Sequence, residues 1–218
     1  MLRENLLAEG LEKGFLKIIK HKQMSLAIGV TLAGGLLLTS VIFLQRRQLN
    51  EKTWQMLAIA QSQIAQGQLS QGISTLNELT SRYHSGAVLE QAYHLLGSAA
   101  LAQGNPQQAV TIYEEGLALT ANENNRPLLM IGLGTAYEEG GDLNKAAETY
   151  ERFLKDFPDH FLTPRILLNL VRVRALSNNL DAARQSYEKL LTLYPDTPWT
   201  KRAGAYLSTN PPQKQPNS

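Results

Sequence analysis

The sequence predicts an all-α protein in which one transmembrane helix precedes an α-solenoid of about four helix pairs and a capping helix. Two observations predict this fold class. An uncharged, apolar segment long enough to cross a bilayer lies near the N-terminus. After it, short turns that begin with Gly or Asn recur at a constant spacing between helical segments. A constant spacing indicates stacked helical hairpins, because each hairpin buries its apolar face only against its neighbours.

The composition excludes several classes of protein. The chain has 218 residues, of which 43% are hydrophobic and 18% are charged, so it is too apolar for a disordered chain. Its formal net charge of +2 gives no indication of nucleic-acid binding. It contains no cysteine, which excludes a disulfide scaffold, a cysteine-ligated zinc site, a cysteine nucleophile and a lipid anchor on cysteine. We therefore expect any membrane attachment to come from the polypeptide itself.

The segment from Met24 to Leu44 is predicted to cross the membrane. Its 21 residues carry no charge and lie between Lys22 and Arg46. As a helix it would extend about 30 Å, one hydrocarbon thickness. One alternative is a buried helix of a soluble protein, but such helices rarely lack a polar stripe over this length. The other is a cleaved signal peptide, but residues 42–47 contain no small-residue cleavage site, so we predict an uncleaved anchor.

The positive charges around the span predict its orientation. Five basic residues precede the span and three follow it closely, so we expect a cytoplasmic N-terminus and an extracytoplasmic C-terminal domain. In a Gram-negative bacterium these would be the inner membrane and the periplasm. Residues 1–23 have the spacing of a short amphipathic helix, which would lie on the membrane surface or in solvent. Neither Gly nor Pro occurs from Leu36 to Gln66, so the span could continue into the next domain as one helix.

Four turns define the repeat. They begin at Gly67, Gly104, Gly141 and Asn178, each 37 residues after the one before. A small residue tends to recur seven positions before the turn, a second one five positions after it, and an aromatic residue or leucine nine positions after it. The small residues would let the two helices of a hairpin pack closely, and the aromatic ring would fill the gap to the next hairpin. A left-handed Gly or Asn would end the first helix of each pair.

Four prolines fit the same register. Pro158 and Pro195 are expected to follow the ends of second helices, because proline cannot continue a helix. Pro127 and Pro164 are expected in the first turn of the next first helix, where the missing N–H has no cost.

This pattern resembles the tetratricopeptide repeat, a helix–turn–helix unit. The segments LLGSAALAQGNPQQAVTIY and GLGTAYEEGGDLNKAAETYERFLKDFP carry the resemblance. It implies repeats at about 53–86, 90–123, 127–160 and 164–197 and a capping helix at 198–207, followed by a proline-rich tail at 208–218 that we expect to be disordered. The first repeat departs from the pattern at Gly72 and His84, and the fourth at Val171 and Arg174.

The sequence contains no recognisable catalytic motif. The G-x-S-x-G, Walker and G-x-G-x-x-G patterns are absent. The four histidines are scattered, and the nearest metal-type spacing, Glu90 to His94, is more typical of a surface or groove pair. We therefore expect no enzyme activity, metal, cofactor or small-molecule substrate, and a chain that acts by binding proteins.

A solenoid of this kind offers a concave surface, lined by the first helix of each pair. We predict that this groove binds an extended or helical peptide. The predicted groove residues are Trp54, Gln61, Gln91, His94, Ser98, Leu128, Ile131, Thr135, Glu138, Arg165, Leu168 and Arg172. Some tetratricopeptide repeats hold a terminal carboxylate with a lysine–asparagine clamp. His94, Ile131 and Leu168 occupy the position of that lysine here, which disfavours a co-chaperone role of that type.

The layout of the whole chain resembles the YfgM-like family, the single-span ancillary subunits of the bacterial SecYEG translocon. The charged N-terminal segment, the junction KIIKHKQMSLAIGVTLAGG and the four repeats carry this resemblance. It implies a membrane-anchored scaffold whose periplasmic domain associates with translocon subunits and periplasmic chaperones. The alternatives are a scaffold for cell-envelope or division-complex assembly and, with the opposite orientation, an organellar receptor with cytosolic repeats.

Overall fold

The computed structural model describes residues 22–83, 86–119 and 125–209. Within these ranges the regular secondary structure is entirely α-helical. Most of the predicted segment 1–23, most of the predicted tail 208–218, and His84 lie outside the described residues. The chain divides into two compact units, Met1–Lys52 and Thr53–Ser218.

The first helix, α1, runs from Lys22 to Ala65 and is 44 residues long. It contains the predicted span and continues beyond it without a break, as the absence of Gly and Pro over residues 36–66 indicates. Large apolar side chains along it are exposed; Leu26, Leu36 and Phe43 have 72%, 68% and 66% of their surface accessible. Among the described residues, α1 is the one helix that is long and apolar enough to cross a membrane.

The second unit contains the end of α1 and the helices that follow it. These are α2 (Leu69–Arg82), α3 (Ala87–Ala102), α4 (Pro106–Leu119), α5 (Arg126–Glu139), α6 (Leu143–Asp156), α7 (Thr163–Leu176), α8 (Leu180–Leu193) and α9 (Pro198–Thr209). From α2 onward, consecutive helices pack against one another, and α9 packs against both α7 and α8. The predicted all-α solenoid of helix pairs followed by a further helix is confirmed.

The four predicted turns are present, and each has a left-handed residue. The φ angles are 78° at Gly67, 74° at Gly104, 82° at Gly141 and 60° at Asn178. The residue after each turn residue donates its backbone N–H to a carbonyl five positions earlier, for example Asn105 to Ala100 and Asp142 to Tyr137, both at 2.9 Å. This is the Schellman arrangement, which satisfies carbonyls left free at a helix end and favours glycine.

The helix boundaries follow the local sequence. The Asp142 carboxylate accepts a hydrogen bond from the Lys145 backbone N–H at 3.1 Å and caps the start of α6. Asn179 caps α8 in the same way. Pro127 and Pro164 lie in the first turns of α5 and α7, as predicted.

The packing between hairpins depends on the ring of Tyr113, which is only 1% exposed. A Cβ placed on Gly97 of α3 would lie 2.5 Å from Tyr113 Cζ, and one on Gly132 of α5 would lie 2.3 Å from it. The ring is therefore held between two helix surfaces that have no side chain at the contact. One repeat later, Tyr150 packs against Gly134 in the same way. A Cβ placed on Gly134 would lie 2.4 Å from Tyr150 Cε1. The predicted roles of the small and aromatic positions are confirmed here.

The departure at Arg174 is compensated by hydrogen bonds. In the preceding repeat, Tyr137 occupies this position and its hydroxyl donates to the Glu114 carboxylate at 2.6 Å. Arg174 forms an ion pair with Glu151, which is the residue equivalent to Glu114 one period later. Its guanidinium also donates to Ser186 Oγ and to the Ala182 carbonyl. The same contact between hairpins is thus made by a phenol in one repeat and by a guanidinium in the next.

Replacement of Gly132 by alanine should lower the stability of the repeat unit. The added methyl group would overlap the buried Tyr113 ring, which has no room to move, so we expect the free energy of unfolding to fall by about 1–3 kcal/mol. Thermal unfolding of the full chain in detergent, followed by circular dichroism, measures this. In a Tyr113→Leu background the same Gly132→Ala change should cost much less. An equal cost in both backgrounds would contradict the proposed overlap.

Candidate protein-binding groove

The predicted groove residues lie on α1, α3, α5 and α7, the first helices of the four pairs. Trp54, Gln61, Leu128 and Arg165 are exposed, and Gln91, His94, Ser98, Thr135, Glu138 and Arg172 are half-buried. Two of the predicted residues pack into the core instead of standing open to solvent. Ile131 is 8% exposed and Leu168 is 5% exposed, and each belongs to a cluster of buried apolar side chains.

The structure brings five of these residues together in one cavity of about 560 Å³, between α5, α7 and α9. They are Thr135, Glu138, Arg165, Leu168 and Arg172. We call this site the α5–α7–α9 cavity. It is also lined by residues outside the predicted groove: Glu139, Leu143, Asn169, Leu176, Trp199, Arg202 and Tyr206.

The repeat period of the sequence is sufficient to identify the cavity residues of α9. Residues 198–207 are predicted only as a cap, and the predicted groove ends with the fourth repeat. One further period of 37 residues places Arg202 at the position of Arg165, and Tyr206 at that of Asn169. The helix α9 thus takes the place of the first helix of another pair and completes one wall of the cavity.

The floor of the cavity is a polar network built around Glu138 and Arg172. Arg172 Nη2 donates to Glu138 Oε2 at 2.7 Å, and these side chains are 32% and 14% exposed, respectively. Burial alone would lower the pKa of Arg172, but the Glu138 carboxylate, together with Tyr206 and Tyr150, outweighs burial and raises that pKa. The guanidinium therefore remains charged, and a carboxylate in the floor neutralises it. A hydrogen bond links Arg172 to Tyr206 as well, so the network joins α5, α7 and α9.

Tyr150 connects this floor to the hairpin core. Its hydroxyl lies 3.5 Å from Thr135 Oγ1 and 3.5 Å from Glu138 Oε2, while its ring is fully buried. Burial raises the pKa of Tyr150 to about 12, and the Glu138 carboxylate acts in the same direction. The phenol is therefore neutral at physiological pH and can donate a hydrogen bond to Glu138.

The rim of the cavity carries exposed cations. Arg165 of α7 and Arg202 of α9 both line the opening and are exposed. Within residues 22–83, 86–119 and 125–209, neither forms an ion pair with an acidic side chain. Glu139 is the exposed acidic residue at the same opening. Among the described residues, two guanidiniums without an acidic partner therefore face one carboxylate at the rim.

The other half of the groove has a different character. Ser98 Oγ lies 3.1 Å from the Tyr113 hydroxyl, which repeats the pair formed by Thr135 and Tyr150 one period later. The ring of His94 lies 6.3 Å from that of Tyr113, and its Nδ1 is buried without a hydrogen-bond partner. Burial lowers the pKa of His94. This half of the groove therefore presents neutral groups at physiological pH.

Glu90, which precedes His94 by one helical turn, is 5% exposed, and its Oε2 has no hydrogen-bond partner. No ion pair joins it to His94. Over the ranges that the structure describes, histidine, aspartate and glutamate side chains form no cluster of three or more that could hold a metal ion.

A stack of helical hairpins with a lined inner groove defines the class of repeat solenoids that bind other proteins. Three models of the tetratricopeptide repeat match the sequence, over residues 56–83, 88–157 and 131–198. Together they cover more than half of the chain, which belongs to the tetratricopeptide repeat family. The chain is thus a scaffold for protein–protein interaction, and folds of this family are typically non-catalytic. No match was found among curated proteins.

Solved structures show the same fold. A tetratricopeptide repeat protein from Parabacteroides merdae is 18% identical, with a TM-score of 0.61 over 72% of this chain and 59% of that one. The nearly identical TPR-like repeats of a kinesin light chain from Podosopora anserina are also 18% identical, with a TM-score of 0.60 over 73% and 84% of the two chains. MamA is 20% identical, with a TM-score of 0.56 over 70% and 80%. At these identities the similarity establishes the fold alone.

The half-buried His94 should make the stability of the repeat unit depend on pH. Because burial lowers its pKa in the folded chain below 6.5, the unfolded chain binds more protons just below pH 6.5. The contribution of His94 is therefore complete above pH 6.5 and is lost as the pH falls toward the lowered pKa. We expect His94→Gln to flatten this decline, measured by urea unfolding of the full chain in detergent over that range. An equally steep decline in the variant would contradict the prediction.

Proposed function

We propose that this chain is a membrane-anchored scaffold that holds segments of partner proteins in the groove of its repeat unit. The observation that carries this proposal is the α5–α7–α9 cavity, which is open to solvent and combines arginine side chains of α7 and α9 with a tryptophan and a tyrosine of α9. These three residue types dominate the binding energy of protein interfaces. A binding role for the groove agrees with the membership of the chain in a family of interaction scaffolds.

The distribution of groove residues supports an extended segment as the ligand. Exposed or half-buried side chains follow one another from Trp54 on α1, through Gln91 on α3 and Leu128 on α5, to Arg165 on α7. Each occupies the same position of its repeat, so a ligand along the groove would meet one such side chain per hairpin. Pockets at regular intervals are the usual way in which a groove reads alternate side chains of a peptide.

We further propose that α1 anchors the chain in the bacterial inner membrane with the repeat unit in the periplasm. The long, exposed apolar part of α1 supports an anchor, and the excess of basic residues before the span supports a cytoplasmic N-terminus. A scaffold in that position would stand beside the translocon and contact translocon subunits and periplasmic chaperones. This part of the proposal depends on the resemblance to the YfgM-like family.

Photocrosslinking in cells tests the groove and its partners together. A photoreactive amino acid at Gln91 or Leu128 should give adducts with translocon subunits or periplasmic chaperones, because both positions lie in the groove. Gln108 is the matched control, since it is exposed but belongs to α4, the second helix of its pair. Adducts as abundant at Gln108 as in the groove would contradict a groove function. Adducts confined to envelope-assembly or division proteins would favour the alternative scaffold and overturn the translocon role.

A topology reporter tests the compartment separately. Alkaline phosphatase fused after Ser218 should be active, and green fluorescent protein fused at the same residue should be dark, because only the first of these folds in the periplasm. A fluorescent fusion without phosphatase activity would place the repeat unit in the cytoplasm and overturn the proposed orientation. The same pair of fusions placed after Arg82, in the first repeat, should give the same result if the chain crosses the membrane once.

A further inference from the structure

We infer that the α5–α7–α9 cavity selects an acidic segment that carries a large apolar side chain. This inference rests on the proposed function, because it assigns a ligand chemistry to the same groove. Under it, partner carboxylates bind Arg165 and Arg202 at the rim, and the apolar side chain enters between Leu176 and Trp199.

The net charge of the side chains that line the cavity indicates the charge of the ligand. Arg172 is neutralised by Glu138 at 2.7 Å, so this pair offers a ligand no net charge. What remains are the exposed guanidiniums of Arg165 and Arg202 against the single exposed carboxylate of Glu139. The excess is positive and lies at the opening, where it meets a ligand first. A ligand with carboxylates is therefore complementary, whereas a basic segment would meet two like charges.

The use of arginine rather than lysine at this cavity indicates that the ligand is a protein segment with carboxylate side chains. Every basic residue that lines this cavity is an arginine. Its planar guanidinium presents paired N–H donors that match the two oxygens of an Asp or Glu side chain, and it is more weakly hydrated than lysine. Arg165 and Arg202 occupy the same position of successive repeats, on the adjacent helices α7 and α9. They can therefore bind carboxylates that are separated along one extended segment.

The apolar part of the cavity supplies the anchor. Leu176 is 57% exposed although it lines a cavity. Trp199 is half-buried at the same cavity, and Leu168 forms part of its base. An aromatic or long aliphatic side chain of the ligand would bury the exposed surface of Leu176 and gain free energy from that burial.

The remainder of the groove gives the ligand a direction. The predicted groove residues on α1 and α3 are Trp54, Gln61, Gln91, His94 and Ser98, and none of them carries a charge at neutral pH. An acidic stretch would gain nothing there beyond neutral hydrogen bonds. The acidic part of the ligand should therefore occupy the end of the groove formed by α7 and α9, with a neutral part toward α3.

Synthetic peptides test the inference with the full chain in a neutral detergent. The probe is a fluorescein-labelled peptide with blocked ends, in which aspartates flank one phenylalanine, and its partner has asparagine in place of every aspartate. Fluorescence anisotropy should show that the aspartate peptide binds about tenfold more tightly, since charge-assisted hydrogen bonds are about twice as strong as neutral ones. Added salt should reduce the affinity of the aspartate peptide only.

Three variants separate the contributions. The double variant R165Q/R202Q should lower the affinity for the aspartate peptide to that of the asparagine peptide. K201Q is the matched control, because Lys201 is an exposed cation on the same helix as Arg202 and does not line the cavity. It should keep the preference for aspartate. L176Q should weaken the binding of both peptides, because it removes the apolar contact.

The outcomes distinguish the inference from the proposed function. Equal affinities for the two peptides, both weakened by L176Q, would show that the groove binds protein segments but that the acidic preference is wrong. A preference that survives R165Q/R202Q would also overturn it. Absence of peptide binding together with absence of groove crosslinks at Gln91 and Leu128 would overturn the proposed function itself.

Discussion

The insertion of the Tyr113 ring between two glycines is the contact on which the repeat unit depends. Gly97 belongs to the same hairpin as Tyr113, and Gly132 belongs to the next, so one ring fixes the spacing within a pair and between pairs. Protein interiors are packed as densely as crystals, and a side chain at either glycine would have no space. The repeat register that places Tyr113 between these two glycines also determines which face of each first helix lines the groove.

The repeats tolerate a substitution where one polar contact between hairpins can replace another. Tyr137 and Arg174 occupy equivalent positions, and each bonds a glutamate on the second helix of the preceding pair. An arginine reaches that carboxylate as well as a tyrosine does, so the hairpins stay in contact although the aromatic ring is lost. This explains how the fourth repeat keeps this contact between hairpins although Arg174 departs from the aromatic pattern.

The sequence predicts the turns and the hairpin register well, because these depend on local chemistry. A left-handed turn needs Gly or Asn, and Gly104 and Asn178 meet that need whatever the rest of the chain does. The site is predicted less completely, because it depends on which neighbour covers each position. Ile131 faces the core instead of open solvent, and Arg202 was missed since a capping helix was not expected to line the groove.

Tyr150 belongs both to the hairpin core and to the floor of the cavity, whereas the arginines at the rim of the cavity are exposed. The ring of Tyr150 packs against Gly134 in the core, while its hydroxyl lies beside Glu138 in the floor, so a change to this floor also changes the packing of the hairpins. The position shared by Leu128, Arg165 and Arg202 is exposed, so its side chain is not packed in the core. Its residue type therefore varies from repeat to repeat, and the chemistry of the groove can change along its length while the fold stays the same.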